Sequence, residues 1–418
     1  MRGHSRWELV WVNAYWPGLS FMWNSLHAIL LPAVLLTFVD DARKNTFLGL
    51  MTFAGLVIAL LVQPISGALS DAWISRHGRR RPLILIGTAL DLVFLAVIGT
   101  AQDLVGLTIG YVGLQFTSNL AHGPAQGLMH DRIAPERMGF ASGVKNFLDM
   151  AGLVVSSIVA GRLLSPEDPE PLALIALVAG LMVLGASATA IGVREDPATA
   201  QAGRLRERLR LALHTDLKAN SAYWRLIWGR FLFLLGVYGI QAFAQYYVRD
   251  TLHPENPLQL TGDLLATIVL SIIAFSILTG YLCDRIGRKP LHVAAAILVA
   301  IGSLLMLQAR AATEVLVYGS IIGAGIGVFI TANWALANDL APQGQAGKFL
   351  GLTNLATAGS GAISRLTGPG IDWLNALRPG DNLGYDGLFI GAAVLALLSL
   401  LALRRIPDRV GRQAPAPI

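Results

Sequence analysis

Apolar and polar positions along this chain are sorted into long blocks instead of alternating. Twelve apolar runs stand out, at about 12–39, 47–69, 83–101, 104–130, 140–164, 171–193, 224–248, 262–283, 290–310, 313–338, 346–371 and 384–403. Each is near the roughly 20 residues a helix needs to cross the hydrocarbon core of a bilayer. Inside hydrocarbon a backbone amide must find its partner within its own segment, so the runs are predicted to be helices. Gly and Pro inside several of them are compatible with this, because membrane helices tolerate both. The pattern predicts an all-α membrane protein with twelve transmembrane helices.

Composition points the same way. The chain has 418 residues, of which 54% are hydrophobic and 14% charged, against about a quarter charged in an ordinary soluble domain. A soluble enzyme this apolar would expose large patches and aggregate. The one cysteine, Cys283, excludes a disulfide framework and a Cys-rich metal site. The histidines are scattered and form no HExxH pair, so no metal or other cofactor is expected. No phosphate-cradling GxxxxGK[ST] loop is present, which argues against an ATP-driven pump. No nucleophile–base constellation suggests an enzyme. The N-terminal segment is Trp-rich and lacks a small-residue cleavage site, so no removable signal peptide is read.

The net charge of +6 raises the question of nucleic acid. Its placement answers it. With the N-terminus set inside, 23 of the 32 Lys and Arg residues fall on the inner side and 6 on the outer side. That bias is the positive-inside signal and predicts both termini cytoplasmic. The charge is then a topology signal, and no nucleic-acid partner is expected. Residues 194–223 form the longest polar stretch, and "GRLRERLRLALHTDLK" within it alternates Arg with Leu. It reads as an amphipathic helix on the inner membrane surface or equally as a solvated linker. The predicted organisation is a bundle of six helices over 1–193, this linker over 194–223, and a second bundle over 224–418.

The two halves repeat each other. "GALSD" (Gly67–Asp71) corresponds to "GYLCD" (Gly280–Asp284), and "GRRRP" ending at Pro82 to "GRKP" ending at Pro290. Asp131, Gly139, Gly143 and Asn146 correspond at one constant offset to Asp339, Gly347, Gly351 and Asn354. Two halves of six helices with the same orientation form a parallel repeat, which places a substrate site near the midplane between them.

"GALSDAWISRHGRRRP" (Gly67–Pro82) joins the second and third runs on the inner side. It resembles the signature loop of the major facilitator superfamily, Gly-x-Leu-x-Asp-x-x-Gly-Arg-Arg, and "GYLCDRIGRKP" resembles its counterpart in the second half. The resemblance implies the major facilitator fold. Asp71 at a helix end can pair with arginines and with a neighbouring helix terminus, giving a latch that closes in one state and breaks in another. The predicted gating residues are Gly67, Asp71, Gly78, Arg79, Arg80 and Asp131, with Gly280, Asp284, Arg288 and Asp339 in the second half. The bland alternative is that the arginines only enforce topology, and for Arg81 that alternative is as good. The extension "WISRH" followed by Gly-Arg-Arg-Arg-Pro is similar to sucrose transporters and the related glycoside–pentoside–hexuronide cation symporters. So is "GPAQGLMHD" (Gly123–Asp131). Two departures stand out: Ala72 and Gln126 occupy positions where that group carries arginine. The melibiose-type members of that group carry paired aspartates for sodium in the second helix; the second run here contains no carboxylate, so the resemblance implies a proton more readily than sodium as the coupling ion.

Polar groups inside the runs are the candidate binding residues, since each is costly in hydrocarbon. Tyr111, Gln115, Asn119, His122 and Gln126 follow steps of three and four on one helical face. Hydroxyl, amide and imidazole groups donate and accept, which is what a neutral polyol needs. They also serve as glue between membrane helices. Asn24 and His27 are three apart in the first run. Gln241 and Gln245 lie with Tyr238 in the seventh, and Trp334 and Asn338 with Thr331 in the tenth. Trp334 is placed to stack on a sugar ring or simply to pack. Candidate proton carriers are Asp91, Asp149 and His122, with Asp149 four residues from Lys145 and equally readable as its structural partner. Arg230 and Arg365 read as snorkelling side chains.

The sequence thus predicts a secondary transporter working by alternating access, a proton-coupled sugar or glycoside symporter. Its expected partners are a small-molecule substrate, a proton and the lipid bilayer, and it is expected to be a monomer in a bacterial inner membrane. The alternatives are a proton-driven exporter of drugs or amphipathic metabolites and a transporter-like sensor or assembly factor.

Overall fold

The computed structural model describes residues 6–73, 75, 78–134, 137–167, 169–193, 195, 220–341, 346–404 and 406. The amphipathic helix expected within 194–223 lies outside the described residues, apart from the stretch's two ends. Among the described residues there is no strand. Among the described residues, six long helices make up the first half: α1 (Glu8–Leu35), α2 (Lys44–Ala72), α3 (Arg81–Gly99), α4 (Leu104–Arg132), α5 (Met138–Leu163) and α6 (Leu172–Gly192). Six follow in the second: α7 (Ser221–Tyr247), α8 (Pro257–Ile286), α9 (Arg288–Met306), α10 (Ala312–Leu340), α11 (Ala346–Ser364) and α12 (Leu383–Leu403).

Ten of these are long and apolar enough to cross a membrane. The two that fall short, α4 and α11, are interrupted by polar groups: Gln115, Asn119, His122 and Gln126 on one, Thr353, Asn354, Thr357 and Ser360 on the other. The eleventh run also differs from its expected span. Its α-helix ends at Ser364, passes through a tight turn at Arg365–Thr367 and restarts as a short helix, Gly368–Leu377. Pro369 sits in the first turn of that restart, where its missing N–H costs nothing. Helix α1 contains a π-turn at Leu26–Leu30, which inserts an extra residue into its register.

The chain divides into two compact units, one of Met1–Arg210 with His253–Ala266, the other of Leu211–Leu252 with Thr267–Ile418. Within the first, α1 packs on α5 and α6, α2 on α4, and α3 on α4 and α6. Within the second, α7 packs on α11 and α12, and α9 on α10 and α12. Helix α8 crosses α10 where Gly323 and Gly327 lie against the backbone of Ile268 and Ile272. Adding six to each helix number of the first set gives the second, which is the internal repeat in three dimensions. Large apolar side chains such as Leu184 and Ile191 of α6 are exposed, a surface suited to hydrocarbon.

Candidate functional site

The Gly67–Pro82 loop folds around one arginine. Gly78 has φ +94°, a conformation that favours glycine, and it turns the chain into α3. Arg80 then points back between α2 and α4. Its guanidinium lies 2.5 Å from Asp71 Oδ1 and 2.9 Å from Asp131 Oδ2, and it also donates to Ser70 and to the Gly67 carbonyl. Arg79 reaches Asp131 Oδ1 at 2.7 Å. The Arg80 side chain is only 7% exposed, the Arg79 side chain 30%. The hydrogen bond from Arg79 to Asp131 pushes its pKa above the usual arginine range.

The fourth-helix motif is explained by the same arginine. Gly123, Gly127 and Asp131 are spaced by four and share a face of α4. At Gly123 the α2 backbone comes close, at Gly127 the Arg80 guanidinium occupies the space of a Cβ, and Asp131 binds it. A residue that the sequence analysis did not single out joins this cluster. Glu195, just beyond α6, accepts the backbone N–H groups of Arg80 (3.0 Å) and Arg81 (2.9 Å). A carboxylate is favoured there, because those N–H groups at the start of α3 have no helical partner. The available signal was an acidic residue after the sixth run, facing a loop of arginines.

The second half carries a looser version. Gly287 has φ +86°, and Arg288 Nε lies 2.8 Å from Asp339 Oδ2. Ala335 stands at the repeat position of Gly127, and the Arg288 side chain is 30% exposed. The side chain of Asp284 lies outside the described residues. An added Cβ at Gly67 or Gly280 would meet nothing within 4 Å.

The polar stripe of α4 divides into two groups. Tyr111, Gln115 and Asn119 are buried. Gln115 Nε2 donates to Tyr111 Oη (2.7 Å), and Asn119 donates to the Gln115 carbonyl (2.8 Å). His27, carried by the π-turn of α1, joins them: its Nε2 lies 2.8 Å from Tyr111 Oη and 3.3 Å from Gln115 Nε2. Trp23 stacks on its ring. The backbone of α2 allows this closeness at Gly55, where a Cβ would collide with Tyr111 and Gln115. One turn further, His122 Nε2 contacts Gln126 Nε2 at 3.1 Å, and the edge of Trp16 meets the His122 ring.

Asn24 does not share the setting of His27. Its amide donates to Ser156 (2.7 Å), Ser157 (2.8 Å) and the Leu153 carbonyl, tying α1 to α5. The π-turn that begins at Leu26 and carries His27 separates their directions.

The acidic candidates also differ. Asp149 Oδ2 pairs with Lys145 at 2.6 Å, and its Oδ1 accepts from Ser20 at 2.8 Å. The Lys145 ammonium lies over the Trp16 ring, so this partly exposed pair adjoins His122. Asp91 is sealed among α1, α3 and α4. Thr117 donates to its Oδ1 at 2.5 Å, and its Oδ2 has no partner among the described residues.

In the second unit, Arg230 does not snorkel to the helix end. It is 4% exposed and donates from Nε to Thr357 Oγ1 (2.8 Å) and from Nη1 to Asn333 Oδ1 (2.7 Å). Trp334 faces its guanidinium. Asn333 donates in turn to His292 Nε2 (3.4 Å), and His292 Nδ1 donates to the Arg288 carbonyl (2.8 Å). Asn333 and His292 were not foreseen; the signal was the need of a buried arginine for acceptors. Arg365 donates to the Tyr238 carbonyl at 2.9 Å. Gln241 is exposed while Gln245 is buried, and Asn338 is exposed with its amide on the Trp334 carbonyl. These three do not gather around Arg230.

Residues 13–364 match the family model of the Major Facilitator Superfamily. The chain belongs to that superfamily. Among its relatives, the multi-drug resistance efflux pump PmrA of Streptococcus pneumoniae is 23% identical over 369 residues, 87% of this chain and 86% of PmrA. The sucrose transport protein SUC3 of Arabidopsis thaliana is 27% identical over 149 residues, 30% of this chain and 24% of SUC3. The crystal structure of a mutant of the nucleoside transporter NupG superposes with a TM-score of 0.77. It is 13% identical, and the match covers 95% of this chain and 100% of the NupG chain. The superfamily member described here is a multi-pass secondary transporter of small molecules, and its fold and relatives are those of transporters, not enzymes.

Proposed function

We propose that this transporter is a proton-coupled symporter of a sugar or glycoside, with both termini cytoplasmic. The observation that carries the reading is the His27–Tyr111–Gln115 cluster. Three groups that donate and accept hydrogen bonds converge from α1 and α4, with the Trp23 ring stacked alongside. Amphoteric groups beside an aromatic plane suit hydroxyl groups on a ring with an apolar face. The local likeness to SUC3 supports the same class of cargo.

In this reading Asp149 is the proton carrier. Protonation would break its pair with Lys145 and release an ammonium beside His122, changing the charge on that face of the first unit. Asp91 is too enclosed to exchange with water without opening its helix packing. The loops around Arg80 and Arg288 act as the two latches.

A second reading, a proton-driven exporter, is favoured by the match to PmrA along most of the chain. One experiment separates them: uptake of labelled sucrose or maltose into proteoliposomes, with and without an inward proton gradient, for the wild type, Tyr111→Phe and Asp149→Asn. Gradient-stimulated uptake is expected in the wild type, weakened in Tyr111→Phe and uncoupled from the gradient in Asp149→Asn. No uptake of any glycoside would remove the symporter reading and leave the exporter.

A further inference from the structure

We infer that Arg230 receives the carboxylate of a cargo bearing a single negative charge. The inference rests on the transport reading above and narrows its cargo. A guanidinium stays charged at every working pH. Buried charges in proteins are normally paired, because an unpaired one loses its hydration with nothing in return. Arg230 is buried, and among the described residues no carboxylate lies within ion-pair distance of it. Its neighbours are neutral: a threonine hydroxyl, an asparagine carbonyl oxygen and the Trp334 ring.

Its depth excludes the simplest explanation. Arg230 stands nine residues into α7, about 13 Å along the axis at 1.5 Å per residue. Its guanidinium is held sideways, onto α10 and α11, well inside both helices. Nε and Nη1 are spent on Thr357 and Asn333, and Nη2 makes no hydrogen bond to the described residues. Nη2 is therefore the nitrogen left for a ligand. The rest of the shell braces the fork. His292 Nδ1 donates to a carbonyl, so its Nε2 accepts from Asn333, and this turns the Asn333 oxygen to Arg230.

The count of charges selects the ligand. One guanidinium balances one carboxylate, whereas a dianionic phosphate would keep a net negative charge; Arg365, the other buried arginine among the described residues of the unit, donates to the Tyr238 carbonyl. The Trp334 ring, partly exposed next to it, offers an apolar face for the rest of the cargo. The first unit has no such excess, since its intramembrane Lys145 is already paired with Asp149.

The test is thermal protection of the purified full chain by gluconate, sucrose, lactate and benzoate, for wild type, Arg230→Lys and Arg230→Gln. Gluconate is expected to protect the wild type. Its half-saturating concentration is expected to rise about 10- to 100-fold in Arg230→Gln, the range for losing a charge-assisted hydrogen bond, and less in Arg230→Lys. Wild-type competition needs no variant: gluconate bound more tightly than sucrose supports the inference even if Arg230→Gln does not fold. Protection by sucrose alone would overturn the inference and leave the sugar reading intact. Protection by lactate or benzoate equal to gluconate, lost in Arg230→Gln, would uphold the carboxylate site and overturn the sugar reading. No protection by any of the three carboxylates would overturn the inference.

Discussion

Arg79 and Arg80 are adjacent, identical in chemistry and both bound to Asp131, yet the structure assigns them unequal weight. Arg80→Ala removes two carboxylate contacts, a serine contact and a carbonyl contact from a side chain 7% exposed. Truncating one partner of a buried pair costs about 3–5 kcal/mol. Asp71 is 37% exposed, so water screens part of that loss and about 2–3 kcal/mol remains. Arg79→Ala removes a partner of Asp131 from a side chain 30% exposed, worth about 0.5–1 kcal/mol. For a unit of this size each kcal/mol moves Tm by about 2–4 °C. Thermal unfolding in detergent is therefore expected to fall by about 4–12 °C in Arg80→Ala and by about 1–4 °C in Arg79→Ala. The Arg79 pKa is raised above the usual arginine range, so its contribution is fully present below that range and disappears only as pH rises through the folded value. The arginine side of the contrast should be flat from about pH 6 to 9. An equal loss in both variants, or a larger one in Arg79→Ala, would refute the assignment of Arg80 as the centre of the latch.

Further outcomes follow from single contacts. Gly127→Ala, which puts a Cβ where the Arg80 guanidinium lies, is expected to reproduce most of the Arg80→Ala loss in the same unfolding measurement. Gly55→Ala should displace Tyr111 and raise the half-saturating concentration for cargo in proteoliposome uptake; unchanged uptake would count against the cluster as a binding site. Asn24→Ala should lower Tm by the cost of the two hydrogen bonds its amide N–H groups can make to α5, about 0.6 kcal/mol each, and leave cargo affinity unchanged. Glu195→Ala should lower Tm by about 1 kcal/mol's worth, the usual cost of losing a helix cap, an effect read against the unaltered chain.

The helices were legible because hydrocarbon imposes a length and an unbroken apolar run, and both are visible in one dimension. The repeat was legible because Asp131 and Asp339 sit at matching places near matching loops. What escaped was anything set by a local change of register or by a distant partner. The three-residue spacing of Asn24 and His27 suggests one face, and the π-turn sends them to different neighbours. Gly67–Pro82 offers four arginines of similar promise, and only packing against Gly127 distinguishes Arg80. Glu195 joins Arg80 across 115 positions, a separation at which no pattern operates. Arg230 reads as a snorkelling side chain near a helix end until Asn333 and Thr357 place it inside the bundle.

The bonds around His292 separate the labour of the two halves. It is the single histidine among the described residues of its unit. Both of its nitrogens are committed, Nδ1 as a donor to Arg288 and Nε2 as an acceptor from Asn333. A proton added at Nε2 would meet the hydrogens of the Asn333 amide. Rotating that amide to welcome it would turn the same hydrogens on Arg230. The imidazole is thereby wired as a rigid strut, barred from proton traffic by its own supports. The two halves thus differ: the second holds Arg230 on neutral partners, and the first holds the Lys145–Asp149 ion pair.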